Sequence, residues 1–253
     1  WQAPQGFVVP GSYRKFAELP AVSEQFASRG WPVWQRRSGG GLVPQGPGIV
    51  NLSLAWPVYH SLGEAAEPIY LFLCGLLQRT LATFGVASHC QAVSGSFCDG
   101  RYNLACGEGE HVRKIAGTAQ YWRPMAEGRG HVVLAHAVVL LDADLAAAHR
   151  AANDFEARLG SGREYHADKT VTLAEKAPIC CPAFARRWRS SWKISAEGRL
   201  QIAAKRLYRP RYARRVGAND VQTFRKRIHR PPSRQQLLNQ PAANRLPGAK
   251  IRQ

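Results

Sequence analysis

Acidic residues are scarce in this 253-residue sequence: 17 Asp and Glu stand against 35 Lys and Arg, a formal net charge of +18. Long apolar runs are missing too. The best stretch, Ile69 to Leu77, ends at Gln78 and Arg79. That is far short of the roughly 18 residues a membrane-spanning helix needs. The chain opens on Trp1 rather than Met and shows no charged-then-apolar leader, so it is expected to start inside a domain or to be processed, with nothing pointing to secretion. No Cys-x-x-Cys pair and no zinc-finger Cys/His spacing occur among Cys74, Cys90, Cys98, Cys106, Cys180 and Cys181, which argues against a structural metal. Six cysteines can staple a small secreted domain. In a leaderless chain of this size, reduced thiols in the cytoplasm are the expectation. Wholesale disorder is excluded by the 45% hydrophobic content, the ordinary globular figure.

The charge is confined to one end. Residues 1–180 carry 16 Lys/Arg and 15 Asp/Glu, whereas residues 181–253 carry 19 and 2. The expected organisation is therefore a balanced globular domain over residues 1–178 and a basic tail over 179–253. That tail reads three ways: as disordered solvated sequence, as a surface for an acidic partner or nucleic acid, or as the product of a reading-frame change near residue 179. Nucleic acid enters only through this segment.

Strand patterns and helix patterns alternate along the first 178 residues. Strands are expected at Gly6–Pro10, Trp31–Arg37, Arg101–Cys106, Val112–Gln120 and His131–Leu141, and a buried strand at Ile49–Trp56. Helices are expected at Glu67–Phe84, stopped by Gly85, and at Leu145–Leu159, stopped by Gly160, with a further one near Glu197–Tyr208. The class is α/β or α+β, a mixed sheet with flanking helices.

Three segments carry chemistry. Arg36-Arg37-Ser38-Gly39-Gly40-Gly41 follows a strand. Its glycines expose N–H donors, and its arginines suit a carboxylate or phosphate. It lacks the Gly-Lys-[Ser/Thr] ending of a P-loop. Cys98 lies among turn formers in Gly95-Ser96-Phe97-Cys98-Asp99-Gly100-Arg101-Tyr102-Asn103-Leu104. A lone Cys is most often an inert buried residue, and a nucleophilic one needs a nearby cation. Lys114, leading Lys114-Ile115-Ala116-Gly117-Thr118-Ala119-Gln120, supplies one.

In this order, with Gly130-His131-Val132-Val133-Leu134-Ala135-His136 and Leu140-Leu141-Asp142-Ala143-Asp144-Leu145 after them, these segments resemble the lipoate–protein ligase/octanoyltransferase family. The resemblance covers about Trp1 to Leu173. It is closest to the cysteine-dependent branch that moves octanoyl from the glycine-cleavage H protein. It implies the catalytic-domain fold shared with biotin ligases, here lacking a first helix and strand, although the biotin ligases' Gly-Arg-Gly-Arg-x-Gly-Arg loop is absent. It implies an acyltransferase with Cys98 as nucleophile and Lys114 beside the acyl carbonyl. Arg36, Arg37, Ser38, Gly39, Gly40, Gly41, Gly117, Thr118 and His136 would bind substrate, and Val43, Leu52 and Leu134 would line an acyl tunnel. Partners would be lipoyl-domain proteins (the glycine-cleavage H protein, dehydrogenase E2 subunits) or an octanoyl carrier, with no cofactor required. The alternative is an ATP- and Mg2+-dependent lipoate ligase that forms an acyl-adenylate; an inactive copy is a third reading. Where ligases carry His-Asp after the Gly-rich turn, this chain has Pro44-Gln45, and Asn103 stands where Asp or Glu is common.

Overall fold

The computed structural model describes residues 1–125 and 130–177, together with the backbone of two short strands at 192–194 and 200–202. Two sheets organise it. The small one has order β2-β1-β3, from β1 (Gly6–Pro10), β2 (Val33–Arg36) and β3 (Val43–Gln45). Helix α1 (Leu19–Ser28) crosses from β1 to β2, which pair parallel; β3 returns antiparallel. The large sheet is antiparallel with order β4-β8-β7-β6-β5, from β4 (Ile49–Val58), β5 (His89–Cys90), β6 (Leu104–Cys106), β7 (Arg113–Pro124) and β8 (His131–Leu140). Helix α2 (Leu62–Ala82) joins β4 to β5, and α3 (Leu145–Arg158) and the single turn α4 (Leu173–Lys176) follow β8.

Each sheet closes its own apolar core. On the large sheet, Val133, Ala135, Ala137 and Val139 of β8 alternate inward against Ile69, Leu73, Leu76 and Leu77 of α2, at three- and four-residue helical spacing. On the small sheet, Phe7 and Val9 of β1 meet Phe26 of α1 and Phe155 of α3. Phe155 stands edge-on to Phe26, ring centroids 5.2 Å apart.

Several expectations need correction. Helix α2 starts five residues earlier than predicted. Ser61 and Glu64 form a capping box, and the helix runs through Pro68. β4 is the edge strand of its sheet rather than a buried one. From Leu52 to Pro57 its residues alternate between half-buried and exposed, and Pro57 is tolerated because no further strand requires its missing N–H. In the expected helix near Glu197–Tyr208, residues 200–202 instead form a strand, β10 (Leu200–Ile202), antiparallel to β9 (Trp192–Ile194). The rest of that stretch, like most of the basic segment, lies outside the described residues.

Candidate functional site

The facing surfaces of the two sheets enclose a cavity. Val8, Arg36, Val43 and Gln45 line it from the small sheet; Lys114, Gly117, His136 and Val138 line it from the large one. Its volume is about 80 Å3. It leads into a wider outer cavity of about 520 Å3 that shares Arg36, Ser38, Gln45 and His136 and adds Trp1, Arg37 and Leu134. Among the described residues, no Asp or Glu lines either cavity.

Cys98 opens on the inner cavity. Its backbone is left-handed, φ +50°, and it is the single non-glycine residue with positive φ among those described. A non-glycine residue held there costs energy, a pattern concentrated at functional sites. The Gly41 N–H donates to Cys98 Sγ at 3.3 Å, and Arg36 Nη2 stands 4.0 Å from the sulfur. Arg36 in turn braces the turn, donating to the carbonyls of Val8 at 2.7 Å, Gly39 at 2.9 Å and Gly41 at 2.6 Å. Burial pulls its guanidinium below the usual range, and negative charge at Cys98 acts to restore it. Gly40, at φ +101°, is obligatory for a second reason: a side chain there would overlap Cys98 Sγ.

Lys114 enters from β7. It is 5% exposed, and its ammonium donates to the Cys98 carbonyl at 2.8 Å and to the Phe97 carbonyl. It therefore grips the main chain of the cysteine loop from below. Burial lowers it to about 8, with Cys98 and Asp99 opposing that shift. The spacing of the Lys-x-x-Gly motif has a steric reason, because a Cβ on Gly117 would stand 3.1 Å from Lys114 Nζ. Asn103, where an acid was the family expectation, donates from Nδ2 to the same Cys98 carbonyl at 2.9 Å.

His136 sits between the two cavities. Its Nε2 donates to Asn51 Oδ1 at 3.2 Å, and Asn51 Nδ2 donates to Gln45 Oε1 at 2.7 Å. An amide oxygen only accepts, so the proton is on Nε2, and Nδ1 accepts from Ser53 Oγ at 2.9 Å. Desolvation, then Arg36 and the chain's amino terminus, lower His136 to about 4, so it is neutral at physiological pH.

The structure thus gathers Arg36, Ser38, Gly40, Gly41, Cys98, Lys114, Gly117 and His136 at one place. Arg37 reaches only the outer cavity, and a Cβ added to Gly39 would meet nothing within 4 Å. Thr118 borders the inner cavity, but its hydroxyl is turned to the Tyr102 carbonyl at 2.6 Å. Of the three tunnel residues, Val43 lines the inner cavity and Leu134 the outer one. Leu52 points the other way, into the α2 core, because it is one residue out of phase with Asn51 and Ser53 on β4. Sequence reasoning missed Gln45, Asn51 and Ser53 as parts of the site. The available signal was two polar residues, Asn51 and Ser53, at alternate positions of an otherwise apolar strand.

Residues 1–178 match the family model for the lipoyl protein ligase A/B catalytic domain. The chain belongs to this family. An uncharacterized protein of Cupriavidus necator is 51% identical over 181 residues, covering 69% of this chain and 72% of that one. An octanoyl-[GcvH]:protein N-octanoyltransferase of Kyrpidia tusciae is 35% identical over 149 residues, covering 57% of this chain and 49% of the relative. Among solved structures, lipoate-protein ligase A bound with ATP aligns at 15% identity with a TM-score of 0.51, over 73% of this chain and 66% of that one. The T. acidophilum protein Ta0514 with bound lipoic acid aligns at 16% identity with a TM-score of 0.50, over the same two shares. At such identities the structural likeness speaks for the fold, which is that of lipoate-ligase catalytic domains. The chain spans about half the length of the octanoyltransferase and about two thirds of these structures. The lipoyl ligase A/B family is one of lipoate ligases and octanoyltransferases. Among the described residues, no helix is long and apolar enough to cross a membrane, and no group of three His, Cys, Asp or Glu side chains is placed to hold a metal ion.

Proposed function

We propose that the protein is an acyltransferase that carries an octanoyl or lipoyl group as a thioester on Cys98 and delivers it to a lysine of a lipoyl-domain protein. The observation that carries this reading is the setting of Cys98 Sγ: open to a cavity, under the Gly41 N–H and beside Arg36. A thiolate is both a strong nucleophile and a good later leaving group. In the first half-reaction it attacks the acyl carbonyl of the donor, an S–C bond forms, and the donor's amine or thiol departs with a proton. In the second, the neutral amine of the acceptor lysine attacks the thioester, the C–N bond forms, the thiolate departs and the amine's proton passes to solvent. Gly41 N–H and Arg36 stabilise negative charge at sulfur, while Lys114 and Asn103 fix the loop through its carbonyls. The apolar chain would extend between Val43, Val138 and Leu140. Residues 1–178 form the catalytic domain in this reading, and 179–253 a separate basic segment. Reduced Cys98 calls for a reducing compartment such as the cytoplasm.

The second reading, an ATP-dependent ligase, draws on Arg36 and Arg37 at the wide outer cavity. Mg2+ takes oxygen ligands and usually one or two carboxylates. With no Asp or Glu lining either cavity, the described residues do not fit it, and no step runs through it here.

Intact mass of the full-length protein after mixing with an octanoylated carrier, without ATP, separates the two. The transferase gains an octanoyl adduct that hydroxylamine removes and Cys98→Ser loses. Acylation of a lipoyl domain that proceeds only with ATP and survives Cys98→Ser overturns the thioester route in favour of the ligase.

A further inference from the structure

Glu156, on α3, is 0% exposed. Its Oε1 accepts from the Tyr13 hydroxyl at 2.5 Å and from the Tyr165 hydroxyl at 2.6 Å. Its Oε2 is buried and has no hydrogen-bond partner among the described residues. An unpartnered buried carboxyl oxygen costs folding free energy, so its retention in the fold calls for an explanation. Burial first, and then the bond to Glu156, push both phenols up, Tyr13 to about 12, so both stay protonated donors. Arg163 closes the cluster outwards, its guanidinium 5.0 Å from the Tyr13 ring centroid.

The cluster leads to the cysteine from both sides. Asn153, one turn before Glu156, clamps the Tyr165 main chain: Nδ2 donates to its carbonyl at 2.9 Å and Oδ1 accepts its N–H at 2.8 Å. Tyr165 is thus held at main chain and hydroxyl by one face of α3. Its ring packs on Phe97, the residue before Cys98, at 4.9 Å between centroids. Its hydroxyl lies 3.8 Å from where a Cβ on Gly41 would stand. Both hydroxyls lie within electrostatic range of the Arg36 guanidinium.

We infer that Glu156 is a positioning residue: through Tyr13 and Tyr165 it seats the Arg36–Gly41 turn against Cys98 Sγ. The inference rests on Cys98 being the acyl carrier proposed above. Glu156 touches neither cavity, so it acts through the Gly41 N–H and the Arg36 guanidinium. The other titratable groups coupled electrostatically to Cys98 are Tyr70 from α2 and Lys114 from β7, with Asp99 next in the loop.

The test uses full-length Glu156→Gln and Tyr165→Phe, the second keeping its ring against Phe97. Alkylation by iodoacetamide is followed across pH by peptide mass mapping, with exposed Cys90 as the internal control. The expected result is an upward shift of roughly half a pH unit in the Cys98 profile, the scale of one weakened hydrogen bond, with the Cys90 profile unmoved. Octanoyl-adduct formation at pH 7 slows about threefold, the same loss read as a rate. An unshifted Cys98 profile in a folded variant overturns the inference. So does loss of folding in both variants, since the cluster would then be structural only. A wild type that takes no octanoyl group while the variants still shift the profile removes the acyl-transfer reading and leaves the positioning role standing.

Discussion

At Cys98 the local conformation and the chemistry are tied together. The left-handed backbone presents Sγ to the cavity and directs the Phe97 and Cys98 carbonyls down to Lys114. Arg36 and Gly41 meet the sulfur from the opposite sheet. His136 contributes at the same scale through its half-buried neutral ring. Its folded value of about 4 lies below the unfolded 6.5, so on acidification the unfolded chain takes up the proton first. Stability therefore falls as pH drops from about 6.5 to about 4, by up to about 3 kcal/mol from this group, and is level above. Denaturant melts at pH 7 and pH 4.5 check this. His136→Asn, which cannot titrate, is expected to flatten that part of the acid limb.

Elements bring these residues together, and their legibility differed for physical reasons. β7 and β8 were plain, because their apolar and small residues alternate or run together between turn signals. α2 was read five residues short, because Pro68 argues against helix while Ser61 and Glu64 carry the true start. β3 and β5, of three and two residues, leave no periodic trace; the ten-residue α1 carries one, Leu19, Val22 and Phe26 at helical spacing, but only three residues long in its apolar stripe. The site motifs were legible because each is local: the Gly-rich turn, the cysteine loop and the Lys-x-x-Gly strand. Their supports were not. Tyr13 and Glu156 lie 143 residues apart in sequence and meet only once α3 packs on the small sheet. Within α3, Phe155 is the anchor of that packing, fully buried against Phe7 and Phe26. Phe155→Ala is expected to cost about 3–5 kcal/mol by leaving a cavity there. Because its neighbour Glu156 holds Tyr165, Cys98 in the same variant should also alkylate differently below the melting range. Thermal unfolding and peptide mapping together check both effects.

On the scale of the whole molecule, the two sheets have closed separate apolar cores, and the cavity lies where they face one another. What occupies that cavity bears on how firmly the halves adhere. An octanoyl chain held on Cys98 would lie among Val8 and Val43 of one sheet and Val138 and Leu140 of the other. Each methylene removed from water contributes about 0.8 kcal/mol, so even partial burial outweighs most single side-chain changes. The acylated protein is then expected to melt several degrees higher than the free one, and hydroxylamine should reverse the gain; an unchanged melting temperature would mean the chain lies outside the cavity. In the proposed mechanism the covalent intermediate would thereby serve as mortar between two half-cores. The resting protein would be the looser form, tightening when loaded and loosening again as it hands its cargo on.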